Sequence, residues 1–211
     1  MKFSKEKRPT LGYIPTGTVN DAGKAFGCGQ TIRSGLKNLA RKKTTEIDIV
    51  KVNDEYINFV VAIGAYADIA YSTKRGGKKV IGRLAYYFDA LPRLFKKRTV
   101  NAHIVADGKS IDVKTPFVLI MNSRNVGGFP VNFGYSVTDG LVDIYLTKPG
   151  LFNGLLHYVF FKTKTQHLRA KNIKISTDQT EPWCFDGEAG LSGDIEINVL
   201  QKELKVFGFT K

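Results

Sequence analysis

Two hydrophobic periods divide the chain. The first stretch is helix-like. Leu11 to Ile14 is a short apolar run, broken by Pro15-Thr16-Gly17-Thr18, and Asn20 or Asp21 can cap the helix after it. Ile32, Leu36 and Leu39 then recur at helical spacing and run into the basic Arg41-Lys42-Lys43. That pattern predicts an amphipathic helix with a favourably charged C-terminus. From Glu46 the period becomes two. Ile47, Ile49 and Lys51 share one face of a strand, and Asp48, Val50 and Val52 share the other. Neither face is wholly polar, so this strand is expected to be covered on both sides. Asn53-Asp54 reads as a turn and Tyr56 to Val61 as a resumed strand.

A second helical stripe runs through Val80, Leu84, Tyr87, Phe88 and Leu91 and stops at Pro92. Short strands come next: Ala102 to Val105, Ile111 to Val113 after the turn Asp107-Gly108, Phe117 to Met121, and Leu141 to Leu146. Leu151 to Phe161 is one more helix candidate. Ile173 and Ile175 alternate with lysines, Ile195, Ile197 and Val199 alternate with polar residues, and Leu204 to Phe209 closes the chain. Many short strands with polar turns predict a mainly β, α+β protein built as an antiparallel two-sheet sandwich. The helical opening reads as a remnant of an α/β layer over residues 1–45, followed by a mostly-β domain over residues 46–211.

Composition narrows the picture. The chain has 211 residues, 43% hydrophobic and 24% charged, as a globular fold requires, and this excludes disordered and low-complexity classes. No apolar window reaches a membrane span, and the charged N-terminus is not a signal peptide. The expectation is a cytoplasmic protein. Cys28 and Cys184 form no CxxC pair or disulfide framework, which agrees with a reducing compartment. The net charge of +13 favours anionic partners: nucleic acid, a lipid surface or nucleotide phosphates. No helix-turn-helix or RNP signature supports nucleic acid. His103, His157 and His167 are too scattered for a metal triad. Lys96-Lys97-Arg98 is most simply a solvated helix end.

Three segments have the residue types for chemistry. In Pro15 to Asp21, Gly17 lets backbone amides approach a phosphate, the Thr18 hydroxyl can donate to it, and a following helix start offers unpaired N–H groups. A plain turn with an N-cap fits the same spacing, and no GKS or GKT comes after it. In Asn125 to Asp139, with Gly127-Gly128 and then Ser136 to Leu141, Asp139 among loop carbonyls suits a hard cation such as Mg²⁺. A loop with an Asp139-Gly140 turn fits equally. In Phe185-Asp186-Gly187-Glu188, Asp-Gly marks a hairpin turn, and Glu188 is either a surface charge or a carboxylate placed to take a proton from a hydroxyl.

In order, LGYIPTGTVNDAG, GAYADIAY, GRLAYY, NVGGFP, TDGLVDIY and FDGE resemble the diacylglycerol kinase catalytic family, and in particular soluble bacterial lipid kinases. The resemblance runs over nearly the whole chain from Leu11. PxGTxND is its sharpest part and DGE the next. Ala22-Gly23 stands where the family has Phe-Ala. The family's GGDGT nucleotide motif is absent from these residues, which implies either a fragment of a longer kinase or a truncated product.

The resemblance implies an ATP-dependent lipid kinase that makes phosphatidic acid from diacylglycerol. Thr18, with Gly17 beside it, would contact ATP. Asp139 would hold Mg²⁺ with Ser136 and with Leu141, the last through main-chain oxygen. Glu188 would accept the proton of the lipid hydroxyl. Gly127-Gly128 and Gly64-Ala65 would be tight turns or close-packing sites. The lipid would be met peripherally at an anionic membrane face, with Lys74, Arg75, Lys78, Lys79, Lys96, Lys97 and Arg98 docking there. A homo-oligomer stays open. The alternatives are an inert lipid- or partner-binding fragment, and a kinase for another lipid alcohol.

Overall fold

The computed structural model describes residues 7–17, 20–65, 99–126, 128–148 and 165–208. The helix candidates Val80–Leu91 and Leu151–Phe161, the seven docking cations, Thr18 and Gly127 lie outside these. By internal contacts the chain divides into two compact units. The first joins Met1–Phe59, Asn122–Leu141 and Asn198–Lys211, and the second joins Val60–Met121 and Val142–Ile197.

The first unit opens with two helices, α1 (Asp21–Ala25) and α2 (Ile32–Arg41). Asn20 is the N-cap of α1, without a side-chain capping hydrogen bond, and Thr31 is the cap of α2. Its hydroxyl accepts from Ser34 N–H at 3.2 Å, and the Ser34 hydroxyl accepts from Thr31 N–H at 3.0 Å, closing a capping box. The expected helix is present, but its apolar stripe is only partly covered. Gly35 is buried, whereas Ile32 and Leu36 are 53% and 51% exposed.

Strand β1 (Thr44–Val52) pairs antiparallel with β2 (Glu55–Ile57) through the Asn53-Asp54 turn. β1 is buried on both faces from Ile47 to Val50, as its two-sided pattern predicts. The strand expected over Tyr56 to Val61 breaks at Asn58-Phe59, where the chain leaves β2 before β3 (Val60–Gly64). Later in the chain come β4 (Val100–Ala106), β5 (Lys109–Thr115), β6 (Phe117–Met121), β7 (Asn125–Val126), β8 (Phe129–Pro130) and β9 (Val142–Thr147). They are followed by β10 (Thr165–Ala170), β11 (Asn172–Thr177), β12 (Pro182–Phe185), β13 (Glu188–Ser192) and β14 (Ile195–Phe207).

In the first unit the strand order is β2-β1-β14, with β7 and β8 as a separate short pair. Its core gathers Ala25, Phe26, Cys28, Ile47, Val137 and Val206. Tyr13 meets Phe26 edge-on at 5.9 Å, a favoured aromatic geometry. Gly208 closes this core. A Cβ there would lie 2.4 Å from the Phe26 carbonyl oxygen, so the chain end passes only because the residue is glycine.

The second unit has antiparallel strands in two sheets. One runs β11-β4-β5 from the opening residues of β14, and the other runs β10-β9-β6-β3-β12-β13. β4 and β11 alternate buried and exposed, as strands with one solvated face do. The unbroken apolar run of β6 is buried throughout. Trp183 is fully buried, and its indole N–H donates to Gly193 O at 2.8 Å. Gly64 takes a φ of +91°, and a Cβ there would lie 2.5 Å from Pro116 O, so it is a close-packing position. The mainly β, two-sheet class follows from the alternation. The boundary expected at residues 45–46 falls inside β1, because the opening residues pack with β1 and with the returning end of β14.

Candidate functional site

Leu11 forms a parallel bridge with Val206, its N–H donating to Lys205 O at 2.9 Å and its carbonyl accepting from Phe207 N–H at 2.8 Å. This fixes the segment leading to Pro15. Pro15 is buried, while Thr16 and Gly17 are exposed. Asn20 is left-handed at φ 55°, and its side-chain amide donates to Gln30 O at 3.2 Å. Beyond it, α1 is little more than one turn, too short to build much of a helix dipole. The aspartate of PTGTVND is buried and needs partners there. Asp21 Oδ1 pairs with Lys24 Nζ at 3.1 Å, and Oδ2 accepts from Gly128 N–H at 2.9 Å. The first motif segment is thereby tied to the glycine pair of the second, 107 residues on.

The loop carrying Ser136, Asp139 and Leu141 is tied down more heavily. Ser136 Oγ lies 3.2 Å from Thr138 Oγ1 and accepts from Thr138 N–H at 3.2 Å. Asp139 Oδ1 accepts from Leu141 N–H at 3.1 Å, a local turn that places these two residues together. Gln201, on β14, donates to Thr138 O at 3.3 Å. The main anchor is one that the sequence pattern did not single out. Asp48, wholly buried on β1, accepts from Gly140 N–H at 2.7 Å through Oδ2 and from Lys202 N–H at 2.8 Å through Oδ1. Its own N–H donates to Val137 O at 2.7 Å. Burial pushes the Asp48 carboxyl above its usual range, the Lys202 and Gly140 amides oppose the shift, and the charge of Asp139 adds to it.

This arrangement suits a hard cation. Among the described residues no cluster of three His, Cys, Asp or Glu side chains stands ready for a metal. A cation here would take mixed oxygen donors: the Ser136 hydroxyl, the Asp139 carboxylate and the Leu141 main chain. The charge of Asp139, which adds to the upward shift of Asp48, is one that a divalent cation would offset.

Glu188 belongs to the second unit and is exposed at the start of β13, opposite Phe185. The turn before it is the expected Asp-Gly hairpin turn, with Asp186 at φ 50° and Gly187 at φ 95°. Asp186 locks this turn to β3. Its N–H donates to Val60 O at 2.9 Å, and its carboxylate accepts from Val60 N–H at 3.0 Å. The described residues thus place Gly17, Asp21, Ser136, Asp139 and Leu141 in the first unit, while Glu188 stands on a hydrogen-bonded hairpin of the second.

The two described histidines each meet a carboxylate instead of each other. His103 Nδ1 lies 2.7 Å from Asp112, and His167 Nε2 lies 2.7 Å from buried Asp143, with Arg169 also at 3.3 Å. An open groove of about 720 Å³ in the second unit is lined by Asn101, His103, Asp112, Lys114, Asp178 and Asp194. It contains none of the motif residues.

Known proteins resemble this chain both in sequence and in fold. Residues 1–52 match the family model of the diacylglycerol kinase catalytic domain. The family this chain resembles is the diacylglycerol kinase catalytic family. The matched segment lies wholly in the first unit and contains both Asp21 and Asp48. A diacylglycerol kinase of Bacillus subtilis is 26% identical over 88% of this chain and 64% of its own length. A diacylglycerol kinase of Staphylococcus carnosus is 25% identical over 97% of this chain and 69% of its own length. A crystal structure of a diacylglycerol kinase from Bacillus anthracis shares the fold, with a TM-score of 0.75, 24% identity and coverage of 97% of this chain and 70% of that one. Among the described residues no helix is long and apolar enough to cross a membrane.

Proposed function

We propose that this chain is an ATP-dependent lipid kinase acting on the hydroxyl of diacylglycerol to give phosphatidic acid. The hydroxyl oxygen bonds to the γ-phosphorus, the bond from that phosphorus to the bridging oxygen breaks, ADP leaves, and the hydroxyl proton passes to Glu188. An alcohol is a weak nucleophile near neutral pH, so a positioned carboxylate assists it. Gly17 and Thr18 meet the phosphates of ATP. Asp139, Ser136 and the Leu141 main chain hold Mg²⁺, which when bound offsets the phosphate charge.

The observation that carries this reading is the anchoring of the Ser136–Leu141 loop on Asp48, within the unit that contains the segment matched by the catalytic-domain model. The names of relatives aligned over most of the chain point the same way. The excess of positive charge suits a substrate held in an anionic membrane face, with Lys74, Arg75, Lys78, Lys79, Lys96, Lys97 and Arg98 as the docking cations.

The test is phosphatidate formation from ATP, Mg²⁺ and dioleoylglycerol in anionic vesicles, by this chain and by one extended with a GGDGT segment. Product that vanishes in Glu188→Gln supports the kinase. No product from either chain overturns it. One sequence fact favours a second reading, an inert lipid- or partner-binding chain: GGDGT occurs nowhere in the 211 residues. Product from this chain alone rejects that reading. Turnover of a sphingoid base or another lipid alcohol in preference to dioleoylglycerol would move the substrate assignment and leave the reaction class.

A further inference from the structure

Asp48 is held from a second side. Asn122 directly follows β6, and its backbone N–H donates to Phe59 O at 2.9 Å. Its side-chain Nδ2 donates to Asp48 O at 3.1 Å and to Asn58 O at 3.3 Å. All four polar atoms of Asp48 are therefore engaged: N with Val137, O with Asn122, Oδ1 with Lys202 and Oδ2 with Gly140.

The orientation of the Asn122 amide is fixed by this chemistry. Turned over, its oxygen would face two carbonyl oxygens, with no donor between them. In the orientation present, Oδ1 is buried without a hydrogen-bond partner. An unmet buried acceptor is destabilising, and a leucine of similar size has none. Asn122 is 3% exposed, so solvent does not recover that cost. The position uses the amide as a donor to the backbone of β1 and of the turn after β2.

We propose that Asn122 is a positioning residue for the cation loop. It fixes the backbone of Asp48, Asp48 fixes Gly140, and Gly140 sets its neighbours Asp139 and Leu141. The inference rests on reading Ser136–Leu141 as the Mg²⁺ loop of the proposed kinase. It goes beyond that reading by assigning a residue outside the loop. Ser123 is the natural control. Its hydroxyl reaches Phe59 O at 3.3 Å and Asn125 O at 3.0 Å, so it ties the same neighbourhood by bonds that do not involve Asp48.

The experiment is calorimetric titration of the full chain with Mg²⁺ and with Mn²⁺, without nucleotide or lipid. Asn122→Leu should weaken cation binding about tenfold, the lower end of what outer-shell partners contribute, while Ser123→Ala binds as the parent does. Should the leucine variant fail to fold, Asn122→Ser is followed by amide hydrogen exchange, with faster exchange at Gly140 than in Ser123→Ala as the expected result. Parent-like affinity in Asn122→Leu, equal weakening in Ser123→Ala, or unchanged Gly140 exchange in Asn122→Ser would overturn the proposal. So would a parent chain that binds neither cation, which removes the loop assignment as well. Cation binding that is lost as described, in a protein that forms no phosphatidate, supports the role of Asn122 and overturns only the lipid kinase reading.

Discussion

Asp48 and Gly140, 92 residues apart, are joined by a 2.7 Å hydrogen bond from the glycine amide to a wholly buried carboxylate. Gly140 sits at φ +77°, and a Cβ there would lie 2.9 Å from the Gln201 side chain. The turn beside Asp139 is therefore shaped by a glycine conformation and fastened by a charge on another strand. The same carboxylate takes the Lys202 amide, so a single side chain joins β1, the loop and β14.

Replacing Asp48 with alanine strands two amides, that of buried Gly140 and the part-buried one of Lys202. At about 1–3 kcal/mol for each unmet group, Asp48→Ala should lose about 2–6 kcal/mol of unfolding free energy. Asp48→Asn keeps one carbonyl acceptor and should lose less. Urea denaturation of both variants checks the order, and equal stability of parent and alanine variant would contradict the anchoring role.

Glu188 is exposed and its turn is held by Asp186, so its role is separable from folding. Glu188→Gln should shift stability by no more than about 0.5 kcal/mol and lower the rate of phosphatidate formation roughly 100-fold to 10,000-fold. Single-turnover assays with radiolabelled ATP measure this. A variant with parental turnover would mean that the proton leaves by another route.

The turn between β4 and β5 sets a pH dependence. Asp107 accepts from the amides of Lys171 at 3.0 Å and Asn172 at 2.9 Å. The Lys171 amide is the largest influence on its carboxyl; burial opposes it, the Asn172 amide adds to it, and the carboxyl lies below its usual range. A lowered carboxylate pKa contributes stability above the unfolded value, near pH 4, and loses it as pH falls through the lower folded value. Asp107→Asn should therefore be less stable than the parent above about pH 4, with the gap closing on further acidification. The side chain is exposed, so the gap should stay under about 1 kcal/mol. Denaturation curves across the acid range test it, and a gap that widens on acidification would refute it.

Burial pushes both cysteine thiols up to about 11. At pH 8 their thiolate fraction is on the order of one part in a thousand, and the thiolate is the reactive form. The folded protein should resist labelling by a disulfide reagent such as Ellman's reagent, and should release two equivalents when unfolded. Rapid labelling under native conditions would show that one of the thiols is accessible.

The sequence was most readable where one period decided the matter. The all-apolar β6, the Ile173/Ile175 alternation of β11 and the Asp-Gly turns at 107–108 and 186–187 need only local rules. The helical stripe begins at Ile32, where α2 begins, but its cap is not legible because Thr31-x-x-Ser34 closes with a serine where glutamate or glutamine is the usual signal. The strand read through Tyr56 to Val61 is divided because the carbonyls of Asn58 and Phe59 are taken by Asn122 and Ser123, partners that no local window contains. The local pattern places Asp48 on a strand face and says nothing more of it. Its meaning depends on Gly140 and Lys202, 92 and 154 residues away. The motif residues themselves were legible as an ordered set, whereas the buried groups that hold them were not.

The amide of Lys202 also places the anchor in the order of synthesis. As the polypeptide leaves the ribosome, β1 emerges before β14, and Asp48 waits through the synthesis of 154 further residues for its last donor. The loop can be set only when β14 has been made. A stop codon just before Lys202 would remove that donor and leave the nascent unit open to proteases and chaperones.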